Sequence, residues 1–202
     1  MNGEWDYSLN SGKEKPKYKR KIIVPFPIES PLSGVKKEIL QPGMKLWYRK
    51  IVDLNKIKNN GGFLLHFGAV DQFTEVFINK NKVGEHDGGY TSFYFDITNN
   101  INQNLDKAEI VVKVKDNYSK DGAAFGKQGK PRNHTFYAQT GGIWQTVWIE
   151  SVPKTYIKNM KITPRYDKPS VTFLMTIKGK KLKNYKGNVK ILDKEHNIIK
   201  TS

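Results

Sequence analysis

At 202 residues without a cysteine, the chain has room for one large domain or one domain and part of another, and it can form neither disulfides nor thiolate sites. A hydrophobic content of 37% with 12% aromatics supports a packed core and excludes a disordered chain, while no apolar run approaches the ~20 residues of a membrane helix. The net charge of +16 rests on 35 basic residues, of which only Arg20, Arg49, Arg132 and Arg165 carry the guanidinium fork that reads phosphates; scattered lysines describe a solvated surface rather than a nucleic-acid interface.

No signal peptide is visible, since Asn2-Gly3-Glu4-Trp5 already reads as domain sequence. Residues 3–10 form the first predicted strand, with Trp5 and Tyr7 on one face, before a polar loop at 11–17. The next strand, 18–24, stops at Pro25, Pro27 and Pro31, which cannot continue a central ladder. From there to Met44 a long surface loop is expected, of the kind that is functional or mobile. Strands follow at 46–52, 63–67 and 75–78, then a hairpin turn at 79–82, where asparagine tolerates positive φ. Beyond the Gly88-Gly89 bend come strands at 92–97 and 110–114. Short strands with turn signals between them, and no helical period, predict an all-β sandwich.

The stretch 143–149 has the residue types of a buried strand, with Ile143, Val147 and Ile149 on one face and Trp144 and Trp148 on the other. Both faces are apolar, so the second should meet another layer or domain. Pro153 marks a domain boundary, and further strands are expected at 156–163, 171–177 and 187–192.

Little in this pattern carries chemistry. His66, His86, His134 and His196 are far apart, so no metal site or cofactor is expected; His66 reads as a half-buried, satisfied side chain. Glu29, Glu85 and Asp96 read as hydrogen-bonding groups at turns and strand ends. Trp5, Trp47, Trp144 and Trp148 sit inside strand patterns and read as core or inter-domain packing rather than sugar-stacking platforms. The polar, glycine-bearing segment 115–139 is the best candidate for function, because such loops act when a rigid scaffold holds them.

Several short pieces occur in a telling order: Asn2-Gly3-Glu4-Trp5, Ile23-Val24-Pro25-Phe26, Glu29-Ser30-Pro31-Leu32-Ser33-Gly34, Trp47-Tyr48-Arg49-Lys50, Phe67-Gly68-Ala69-Val70-Asp71, Val76-Phe77-Ile78-Asn79, Val83-Gly84-Glu85-His86-Asp87-Gly88-Gly89-Tyr90, Phe95-Asp96-Ile97-Thr98, and Gly141-Gly142-Ile143-Trp144. Together they resemble the N-terminal, sugar-binding domain of glycoside hydrolase family 2, which includes β-galactosidases, β-glucuronidases and β-mannosidases. The resemblance implies a galactose-binding-like jelly roll over residues 1–153 and the incomplete start of an immunoglobulin-like sandwich over 154–202. In this family the two carboxylates that hydrolyse the glycoside sit on a C-terminal (β/α)8 barrel, and a barrel of ~250 residues has no counterpart here. The chain is therefore expected to be non-catalytic, walling the substrate pocket of a parent that hydrolyses O-glycosyl bonds as a β-galactosidase or β-glucuronidase.

Asp116, just after the strand at 110–114, matches the aspartate that in the β-galactosidase branch reaches into the barrel and bonds the sugar, and Asn117 stands beside it. These two are the expected substrate-binding residues. At a loop position Asp116 is expected to be solvated and of little weight in the fold. Gly126-Lys127-Gln128 and Arg132-Asn133 resemble a loop of a large bacterial subset with varied substrates. The loop length departs from the β-galactosidase pattern, which leaves the sugar open. The asparagine that some members supply ahead of the Trp47 strand has no clear match between Val35 and Lys45. The expected partners are a β-glycoside in the parent and its own barrel, with neither nucleic acid nor membrane. A homo-oligomer and the compartment, periplasmic or cytoplasmic, stay open. The alternative is a free-standing carbohydrate-binding module.

Overall fold

The computed structural model describes residues 1–201 apart from 36, 58–59, 102–104, 118–123, 125–126, 129–136 and 181. These form two compact units, Met1–Val152 and Pro153–Ser202. The first contains β1 (Gly3–Asn10), β2 (Arg20–Val24), β3 (Lys45–Asp53), β4 (Gly61–Phe67), β5 (Val70–Asp71), β6 (Phe73–Ile78), β7 (Asn81–His86), β8 (Phe93–Asp96), β9 (Lys107–Lys115), β10 (Gly142–Ile143) and β11, which begins at Val147 and runs to Pro153.

The larger sheet has the order β2-β1-β3-β9-β6-β7, antiparallel throughout. Strand alternation sends Trp5, Tyr7, Leu46, Tyr48, Val76, Ile78, Ile110, Val112 and Val114 to its inner face, where all are buried. The opposing layer is the three-stranded β11-β4-β8 with the short β10-β5 pair, and it contributes Phe63, Leu65, Phe67, Val70, Ile143 and Val147 to the same core. Each such side chain contributes about 1.5–3 kcal/mol through burial, and Trp5 adds an edge-to-face contact with Tyr48 at 6.4 Å. The result is the all-β sandwich expected from the spacing, in the jelly-roll form that the family resemblance implies. The outer face of the larger sheet is a charge ladder, in which Lys21 bridges Glu4 and Asp6, Arg49 pairs with Asp6, and Glu75 takes both Lys82 and Lys113.

Two expectations about backbone change. The stretch between Pro25 and Met44 is no loose surface loop, because Ile28, Ser33, Val35 and Leu40 are buried in or against the core. A short turn at Pro31–Ser33, capped by the Ser30 hydroxyl on Leu32 N–H, folds it back, and Ser33 Oγ donates to Ile28 O. The stretch 143–149 is not one strand: β10 pairs with β5, and the chain then bends before β11. At the bend Trp144 and Gln145 both donate to Ala69 O at 3.4 Å, and Gly68 donates to Thr146 O. The two faces nevertheless keep their assignment, with Ile143 and Val147 buried and Trp148 38% exposed. The Asn79–Lys80 turn adopts positive φ at both residues, 49° and 72°; the asparagine is as expected, while at Lys80 the positive φ is not foreseen from the residue type.

The second unit contains β12 (Tyr156–Arg165) paired with β13 (Ser170–Lys178), and β14 (Lys190–Leu192) paired with β15 (Ile198–Thr201). The β12-β13 register sets Met160 opposite Met175 and Ile162 opposite Phe173 on one face. Its lysines are denser than those of the first unit: Pro153–Ser202 carries thirteen basic and three acidic residues, +10 of the total +16. Among the described residues no helix is long and apolar enough to cross a membrane.

Candidate functional site

The inward parity of β9 does not stop at its last residue. Ile110, Val112 and Val114 point into the sandwich, and Asp116, two further on, follows them, with 2% of its surface exposed. Its carboxylate is therefore not the solvated strand-end group expected from a loop position. Gln139 meets it there, itself only 4% exposed, and donates from Nε2 to Asp116 Oδ2 at 3.0 Å and to Leu40 O at 2.6 Å.

Glu29 closes the arrangement. It accepts from Leu40 N–H through Oε1 and from Gly141 N–H through Oε2, both at 2.9 Å, in keeping with its reading as a turn residue. The packed 25–44 segment, the chain entering β10 and the end of β9 are thus tied at one point. Asp71 at the end of β5 joins them, buried against Gly89, where an added Cβ would come within 2.6 Å of Oδ1. Gly89 O accepts the indole N–H of Trp144 at 2.8 Å, and Tyr90 packs edge-on against that indole.

Charge accumulates in this cluster. Burial, and after it the Asp116 and Glu29 carboxylates, push the Asp71 carboxyl up to about 7. Burial also raises Glu29, against the two backbone N–H groups and assisted by Asp116. Carboxylates and an amide gathered in this way accept hydrogen bonds from hydroxyl groups, which is the chemistry of a polyol site. No group of His, Asp and Glu among the described residues could hold a metal ion.

Alternation separates the two expected substrate-binding residues. Asn117 turns to the other side of the sheet, where it lines a pocket of about 60 Å3 with Gln72, Phe73, Asp87 and Lys115. Gly126, Arg132, Asn133 and His134 lie outside the described residues. Gln128 accepts Thr140 N–H at 2.8 Å, next to Gln139. Gln139 and Asp71 carry no individual role in the sequence reading, although Gln139 ends the segment 115–139 and Asp71 closes one of the family motifs. Elsewhere, His66 is satisfied as expected: its Nε2 pairs with Glu150 at 2.9 Å and its ring stacks on Trp148 at 4.7 Å.

Residues 1–153 match the family model described as glycosyl hydrolases family 2, sugar binding domain. A putative β-glucuronidase of Formosa agariphila is 32% identical over 156 residues, 75% of this chain and 18% of that protein. A β-galactosidase of Thermoanaerobacter pseudethanolicus is 32% identical over 155 residues, 74% of this chain and 20% of that one. Among solved structures, the β-glucuronidase of Faecalibacterium prausnitzii superposes with a TM-score of 0.71 at 22% identity, covering all of this chain and 38% of that one. The chain thus spans about a fifth of the length of the curated relatives it matches.

Proposed function

The chain belongs to glycosyl hydrolase family 2, with its sugar-binding domain at residues 1–153, and from that premise we propose that it is the non-catalytic N-terminal part of a β-glycosidase acting on β-glucuronides or β-galactosides. In this reading residues 154–202 begin an immunoglobulin-like sandwich, and the hydrolytic carboxylates come from a barrel elsewhere in the polypeptide. The first domain walls the substrate pocket, and Asp116 presents its carboxylate to a hydroxyl of the sugar, whereas Asn117, on the other side of the sheet, takes no part in that contact.

The observation that carries this reading is the gathering of the buried Asp116 and Asp71 with the half-buried Glu29 in one cluster. Like charges brought together out of water are costly to the fold, and a site that binds hydroxyl groups gives such an arrangement a use. The test is Asp116→Asn in the complete polypeptide, assayed on aryl β-glucuronides and β-galactosides. A charge-assisted hydrogen bond supports an expected loss of roughly 10- to 150-fold in kcat/KM, and unchanged kinetics would overturn the sugar contact. The 202-residue chain alone should show no turnover; saturable binding of a glycoside to it would favour the free-standing module instead.

A further inference from the structure

Gln139 is oriented without ambiguity. Its Nε2 serves two acceptors, Leu40 O and Asp116 Oδ2, so a flipped amide would set Oε1 against both. Its other end tells the opposite story, since Oε1 is buried and has no hydrogen-bond partner among the described residues. A buried amide kept for packing alone would be satisfied at both ends or replaced by an apolar chain of the same shape. Here only the donor end is used.

The surroundings hold that donor in place. Leu40 both accepts from Gln139 and donates to Glu29, and Glu29 in turn takes Gly141 N–H, two residues along from Gln139. Thr140, between them, is fixed by Gln128. The backbone that follows Gln139 is therefore pinned, and its two amide N–H groups are committed to Leu40 O and to Asp116 Oδ2.

We propose that Gln139 is the positioning residue for the sugar contact: by holding Oδ2 of Asp116 it sets the plane and direction of the carboxylate that meets the substrate. This deepens the reading in which Asp116 bonds the sugar and rests on it. Gln139 itself need not touch substrate.

The experiment uses the complete polypeptide with an aryl β-glycoside. Gln139→Met keeps the volume and removes the donor, and it should lower kcat/KM about tenfold. Added to Asp116→Asn it should change the rate less than about twofold, because the group it positions is already gone. Losses that multiply in the double variant would overturn the proposal.

Gln139→Glu supplies a second readout and keeps the test valid should the methionine variant fail to fold. Glutamate at 139 can donate to Asp116 only when protonated; the other titratable groups of the cluster are Glu29 in the 25–44 segment and Asp71 on β5, both coupled to Asp116, and Tyr48 on β3, coupled to Glu29. Its kcat/KM relative to the unsubstituted enzyme in the same buffer should recover as pH falls, the ratio cancelling titration in the barrel. A ratio flat with pH would refute positioning by a hydrogen bond. If Asp116→Asn alone is silent, the sugar contact fails and the positioning role with it; if Asp116→Asn is damaging while the Gln139 variants are silent, only the positioning role fails.

Discussion

The hydroxyl of Tyr48, at the centre of the larger sheet, accepts the backbone N–H of Ile143 at 3.1 Å and so joins the two layers through the core. Tyr48 is fully buried, and burial raises its pKa well above the usual phenol value, so the group stays neutral. The contact depends on the residue before Ile143. Gly142 has φ +87°, and an added Cβ would overlap the Tyr48 hydroxyl.

Gly142→Ala should accordingly destabilise the first unit by roughly 2–4 kcal/mol, from backbone strain and the clash together. Tyr48→Phe should cost about 1–2 kcal/mol, leaving Ile143 N–H unpaired. In the double variant the alanine should cost less, since the oxygen it strikes is absent. Chemical denaturation of the four proteins measures this, and strictly additive losses would show that the two positions do not share the contact.

Asp71 makes stability depend on pH with a definite sign. A carboxyl near 4 in the unfolded chain and near 7 in the fold takes up a proton on folding between those values. Its stabilising contribution is present below about pH 4 and is lost as pH rises through about 7. Melting temperature should therefore fall between pH 5 and pH 8 by more than in Asp71→Asn, with a difference of roughly 2 kcal/mol once solvent screening is allowed for. Parallel curves for the two proteins would mean that Asp71 is ionised in the fold at pH 5.

Asp116→Asn should separate stability from function. Removing its charge relieves both Asp71 and Glu29, and the amide retains the shape that meets Gln139. At pH 8 the variant is expected to melt a few degrees higher while the parent enzyme loses activity, the trade-off found where a binding site is kept at the expense of the fold. A lower melting temperature would make the aspartate a structural group.

Much of this was legible along single strands. The alternation of Ile110, Val112 and Val114 predicts the inward parity of Asp116 and the outward parity of Asn117, although the loop reading of that position obscured it. What the chain order could not supply is the meeting of Glu29, Asp71, Asp116 and Gln139, which are far apart in sequence and brought together by irregular backbone. Ile28 and Leu40 are buried one at a time from such backbone, with no period to betray them. The break after Ile143 was equally silent, because Gln145 and Thr146 fit a strand until Ala69 O captures the neighbouring N–H groups.

The β12-β13 ribbon should be the first part to open. Ile157, Met160, Ile162 and Leu174 are each more than 45% exposed, so little apolar burial holds its ladder closed. Amide hydrogen exchange should be faster there by orders of magnitude than at Leu46 or Tyr48. Equal protection in a monomeric sample would contradict this.

The uneven placement of lysine gives the second unit a further property. Ten net positive charges on fifty residues with so little buried surface repel one another, and in water of low ionic strength that repulsion opposes collapse at every fluctuation. Ordinary salt shortens the reach of this field to about 10 Å at 0.1 M. For this unit, dissolved ions act as a structural component, and the composition of the medium decides how far its strands stay together.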